Sequence, residues 1–208
     1  MLVQLSVEEF GRVLASDAPA PGGGSVAALS GALGADLVAM VCRLSTGKAN
    51  LEQFKGELAD ALVQATECST SLMERVDLDT QAFNSVMAAF KLPRQTEEEK
   101  AKRAEAIQQG YREAIQSPSG IADDCLKVLH LTERLVGKTN PNALSDLGVA
   151  SQQAYAGLVG AIMNVRINVP SIKDEAFKSK TFSEIGEILM EGRRARGAVD
   201  DFVDDNLS

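Results

Sequence analysis

Histidine is nearly absent: the chain has one, His130, in 208 residues. No multi-histidine metal site can form within one chain, and a Ser–His–Asp or Cys–His scheme would have to run through that residue. Tryptophan is missing altogether, and the aromatics are seven Phe and two Tyr. Base-stacking platforms are therefore poorly supplied, and a net charge of −8 leaves no basic footprint for nucleic acid. Cysteine is scarce and odd in number. Cys42, Cys68 and Cys125 lie far apart with no C-x-x-C pair, which argues against a disulfide framework or zinc site and for a reducing compartment. The first ten residues hold two glutamates and no basic residue, so no signal peptide is expected and the chain reads as cytoplasmic.

What the chain has is apolar content, 45 %, and helix signals from end to end. Its length suits one domain, residues 1–208, with a sizeable core. Ser6-Val7-Glu8-Glu9 has capping-box spacing and predicts a helix to about Leu14. Two prolines and three glycines shape a connector from Asp17 to Gly24. An Ala/Gly/Val/Leu helix should follow from Ser25 to about Leu44, with Asp36 and Arg43 its only charges. A third helix runs from Asn50 to Phe90, and Leu92-Pro93 ends it. Thr96-Glu97-Glu98-Glu99 starts a polar helix to about Gln116. Ser117-Pro118 starts another to Gly137. Asn142 or Ser145 opens the next, which Pro170 stops, and Thr181-Phe182-Ser183-Glu184 caps a last one to about Val203. The expectation is an all-α, single-domain bundle of about seven helices with a buried Ala/Gly-rich central helix. That central stretch is long enough for a membrane span, but Asp36 in mid-span and the use of Ala and Gly in place of Leu favour burial in a protein core.

Several residues stand out chemically. Gly22-x-Gly24-x-x-Ala27 imitates a dinucleotide fingerprint, but prolines precede it and no strand does. The surviving reading of Gly22, Gly23, Gly24 and Ser25 is a helix start whose free N–H groups and hydroxyl can receive an anion or carbonyl; the alternative is a plain turn. Asp79 precedes Ala82, Phe83 and Val86 at helical spacing, so it shares their apolar face. Such a carboxylate must be paired, protonated or functional, and desolvation would raise its pKa toward neutrality. Asp146, Ala150, Gln153, Gly157, Gly160, Asn164 and Asn168 form one stripe of small and polar residues. Asp146 and Asn164 are about 27 Å apart along that helix, too far for one small ligand within a single chain. His130 reads as a packing or surface residue. Lys91 and Arg94 flank a helix end, where they complement the helix dipole or meet an anionic tail.

Four ordered segments carry a family resemblance. They are Pro19–Leu29 (PAPGGGSVAAL), Asp79–Pro93 (DTQAFNSVMAAFKLP), Ser145–Gly148 (SDLG) and Asn164–Asn168 (NVRIN). Together they resemble the cyclodeaminase/cyclohydrolase family of folate enzymes, over about residues 4 to 200. The resemblance implies an all-α bundle, a homodimer or higher oligomer, that handles one-carbon units on tetrahydrofolate with no metal and no cofactor beyond the folate substrate. It implies hydrolysis of 5,10-methenyl-tetrahydrofolate to 10-formyl-tetrahydrofolate. The alternative is closure of 5-formimino-tetrahydrofolate to the methenyl form with release of ammonia, and a non-catalytic helical binding protein is a third reading. Asp79 is the first candidate for proton transfer. Asp146 is the second, as acceptor for the pterin amino groups. Lys91 would meet the folate glutamate, about 18 Å along the helix from Asp79. Gly22, Gly23, Gly24, Ser25, Asn164 and Asn168 would frame the cleft.

Overall fold

The structure, a computed structural model, describes residues 1–207. Six α-helices account for most of them: α1 (Val7–Leu14), α2 (Gly23–Ser45), α3 (Lys55–Phe90), α4 (Glu97–Leu135), α5 (Leu144–Asn168) and α6 (Glu175–Asn206). Single 3-10 turns precede α1 and α5 and follow α5, a longer one leads into α3, and no strand is present among the described residues. Two of the predicted capping boxes form as read. The Glu9 amide donates to Ser6 Oγ (3.2 Å) and the Glu99 amide to Thr96 Oγ1 (3.1 Å), and each glutamate reaches back to the cap amide.

The expected seven helices are six because Pro118 does not break the chain. The two segments predicted either side of it are one helix, α4, with Pro118 buried inside. Proline removes the N–H that would bond to the carbonyl four residues back, here Ala114. That carbonyl accepts from Asn168 Nδ2 on α5 instead, at 3.2 Å. A tertiary contact thus replaces the missing intrahelical bond. The last predicted cap is also displaced. Asp174 caps α6, accepting from the Phe177 amide at 3.0 Å, while Thr181 lies within the helix and bonds back to the Phe177 carbonyl. Asn50 belongs to the 3-10 turn Ala49–Phe54, so α3 starts at Lys55.

Helices α2, α3, α4 and α5 pack as a four-helix bundle, each against the next, and α6 lies along α4 and α5. α2 and α5 run antiparallel and close together. A Cβ on Gly34 would come 2.8 Å from the Ala150 carbonyl oxygen. One on Gly157 would come 2.7 Å from that of Ala27 and 2.8 Å from Cys125 Sγ. In α2, 13 of 23 residues are buried. α2 is also long and apolar enough to cross a membrane, yet 61 % of its most apolar window is buried against the other helices. α1 contributes no buried residue. Its chain is held by the Leu2 amide, which donates to Asp77 Oδ1 at 2.6 Å.

Candidate active site

The register of the bundle brings the start of α2, the second half of α3, the middle of α4 and the end of α5 to one place. A cavity of about 320 Å³ opens there, a size typical of small-ligand sites. Its polar wall is Gly22, Gly23, Gly24, Asp79, Asn164 and Asn168. Residues 141 positions apart in sequence are adjacent here: a Cβ on Gly23 would come 3.3 Å from Asn164 Nδ2.

Among the described residues, Asp79 is the only carboxylate lining the cavity. The first turn of α2 sits against it so closely that a Cβ on Gly24 would overlap its carboxyl group. Ser25, fully buried behind it, donates its hydroxyl to the Val76 carbonyl at 2.8 Å and lies 3.5 Å from Asp79 Oδ2 and 3.4 Å from Thr80 Oγ1. No cation pairs with Asp79 among the described residues. Burial therefore raises its pKa above the ordinary carboxylate value, and the Ser25 amide and hydroxyl offset only part of the rise. A carboxyl group in this state exchanges protons closer to neutrality than a free one. Beside it, the α2 amides have no side-chain cap and can stabilise a developing negative oxygen.

The two asparagines present acceptors. Asn164 Nδ2 donates to the Gly160 carbonyl (2.9 Å), and Asn168 Nδ2 donates to the carbonyls of Ala114 (3.2 Å) and Asn164 (2.9 Å). With their NH₂ groups tied to backbone, both side-chain carbonyls are left to serve a ligand's donors.

Asp146 and Lys91 lie elsewhere. Asp146 is in the first turn of α5, at the opposite end from Asn164, and Lys91 is the exposed C-cap of α3; neither lines the cavity. His130 pairs with Glu191 at 3.1 Å on another face. The wall also contains residues that the sequence reading passed over: Pro19, Ala20, Thr80, Met87, Phe90 and Tyr111. Tyr111, one of two tyrosines and set in a polar helix, was the available signal. Among the described residues no group of three His, Cys, Asp or Glu side chains is placed to hold a metal ion.

With this geometry in view, residues 6–187 match the sequence profile of the formiminotransferase-cyclodeaminase family. The chain belongs to that family. Among its relatives is the methenyltetrahydrofolate cyclohydrolase of Methylorubrum extorquens, 40 % identical over 186 residues, which are 89 % of each chain. The formimidoyltransferase-cyclodeaminase of Mus musculus is 35 % identical over 192 residues, 92 % of this chain but 36 % of that longer protein. A solved family structure, formiminotetrahydrofolate cyclodeaminase from Thermotoga maritima, superposes with a TM-score of 0.90 at 26 % identity and covers both chains fully. The glycine-rich start of α2 and the Asp79 segment both lie within the matched region.

Proposed function

We propose that this family member hydrolyses 5,10-methenyl-tetrahydrofolate to 10-formyl-tetrahydrofolate. The observation that carries the reading is Asp79, the one carboxylate among the described residues of the cavity, with its pKa raised by burial and a helix start beside it. Asp79 takes a proton from water as the oxygen bonds to the methenyl carbon, which neutralises the cationic bridge. The bond from that carbon to N5 then breaks, with Asp79 returning its proton to N5. The hydroxyl proton leaves to solvent as the formyl C=O forms, so each turnover consumes one water and releases one proton. The amides of Gly23 and Gly24 face the oxygen during this collapse. Asn164 and Asn168 accept from the pterin donors.

The cyclodeaminase reaction is the second reading, favoured by the names of the mouse and Thermotoga relatives. There N10 attacks the carbon of the protonated formimino group, its proton passes through Asp79 to the departing nitrogen, and the bond from carbon to that nitrogen breaks to release ammonia and leave the methenyl cation. The higher identity to the Methylorubrum cyclohydrolase, 40 % over 89 % of each chain against 35 % for the mouse protein and 26 % for the Thermotoga one, supports the hydrolase first. Purified protein offered both substrates, with the methenyl absorbance followed, decides the matter. Loss of absorbance identifies the hydrolase and growth from the formimino substrate identifies the deaminase. Well-folded protein that changes neither refutes both.

We further propose a single domain acting as a homo-oligomer in the cytoplasm. Large apolar side chains on α2 and α5 face outward, including Leu33, Leu44, Met163 and Ile167, and all three cysteines are free and buried, which suits a reducing compartment. A role for Asp146 in the site requires a second protomer, whereas Lys91, next to Phe90 on the cavity wall, requires either a second protomer or the length of the substrate. Monomeric protein by light scattering at micromolar concentration would remove the oligomer and the role of Asp146.

A further inference from the structure

The cavity has two chemically different ends. Toward α5 it is polar. Along α3 it is apolar: Phe83, Met87 and Phe90 follow Asp79 at four, eight and eleven residues, so they share its helix face over about 16 Å. All three remain substantially open, at 36 %, 43 % and 42 % exposure. Large apolar side chains grouped on a concave wall mark a ligand surface more often than scattered ones do.

The rings are also held in place. Tyr111 reaches over from α4 and meets Phe90 edge-to-face, with centroids 6.2 Å apart and planes at 86°. The Arg103 guanidinium lies over the Phe90 ring, 5.5 Å from its centroid, and donates to the Phe90 carbonyl at 3.2 and 3.3 Å. In a chain with seven Phe, two Tyr and no Trp, three rings lining one cavity is a concentrated use of aromatics.

We propose that Phe83, Phe90 and Tyr111 seat the aminobenzoyl ring of the substrate, so that the folate lies along α3 with its pterin toward Asn164 and Asn168. The inference rests on the folate reading above. The aminobenzoyl ring is flat and carries no hydrogen-bonding group along its edges, which suits an apolar aromatic wall. The pterin is edged with donors and acceptors, which suits the amide end. The reacting carbon lies between these two parts of the substrate, and Asp79 stands one turn before Phe83 on α3 with the start of α2 between it and Asn164.

The test compares steady-state kinetics of the intact protein with those of F90L, Y111L and F83L, using methenyl or formimino substrate and helical circular dichroism as the folding control. Each loss should raise KM roughly tenfold, the scale of one aromatic contact, with kcat within about threefold, since the chemistry is untouched. Y111F, which keeps the ring, should recover most of the KM lost in Y111L. p-Aminobenzoyl-glutamate alone should compete with substrate, and should quench Tyr111 emission in a Y155F background, where it is the sole tyrosine. Tyr155 is well apart, against Arg193 and Arg196. Should one variant fail to fold, the other two decide. Turnover with unchanged KM in the folded variants, or no competition by p-aminobenzoyl-glutamate, overturns the seat and leaves the folate reading standing. Absence of turnover by the unaltered protein overturns the folate reading and the seat with it.

Discussion

Asp79 acquires its character from residues far from it in the chain. The Ser25 hydroxyl and amide and the bare Cα of Gly24 are more than fifty positions away. An exposed aspartate would have the ordinary pKa; this one is raised because burial disfavours the charge and no cation among the described residues offsets it. D79N should therefore lower turnover by at least about 10²-fold, the scale of a lost general acid or base, while the helical spectrum persists. The stability consequence has a definite sign. With its folded pKa above the unfolded one, Asp79 binds more protons in the native state, and its ionisation destabilises the fold as pH rises through that interval. The urea midpoint of D79N should gain on that of the unaltered chain as pH is raised from about 4 to about 7; a pH-independent gap would contradict the raised value. G24A tests the contact from the other side. Its methyl group overlaps the Asp79 carboxyl, and the resulting displacement should cost roughly 10²-fold in kcat/KM.

At the scale of elements, the instructive residue is Pro118. Local rules place a helix boundary there, and Ser117-Pro118 has the form of a cap and first residue. Those rules treat a carbonyl without its helical partner as a cost to be avoided by ending the helix. They cannot register a donor fifty residues later. Asn168 supplies one to Ala114, and α4 continues to Leu135. Asn168 thus both faces the cavity and joins α5 to α4. N168A should cost about 1–3 kcal/mol, the penalty for a carbonyl left without a partner. In a P118A background position 118 regains its own N–H for Ala114, and the cost should shrink by about 1 kcal/mol. A double-mutant cycle in urea measures this coupling directly. Strict additivity would mean that the bond carries nothing. The α6 cap was misread for a related reason. Asp174 and Thr181 are both competent N-caps by type, and packing of α6 along α4 and α5 selects the earlier one.

Across the whole molecule, the small residues of α2 and α5 decide how near the two halves of the site come. Gly31, Gly34 and Gly157 allow the helices to approach until a single added methyl would meet backbone oxygen or Cys125 Sγ. That approach is what places Gly23 beside Asn164. G157A should destabilise by about 1–3 kcal/mol through overpacking and lower Tm by roughly 2–4 °C per kcal/mol in a chain of this size, as read by calorimetry. Wild-type Tm in G157A would show that the crossing has slack. The all-α class, the cap residues Ser6 and Thr96, the glycine start of α2 and the place of Asp79 on the apolar face of α3 were legible in sequence, because each rests on spacing within a few turns of one helix. The continuity of α4, the separation of Asp146 from Asp79, and the placing of Phe90 and Tyr111 on one cavity wall were decided by tertiary structure alone. Each depends on which helix ends are juxtaposed, and that is set by packing across the bundle, about which local spacing carries no information.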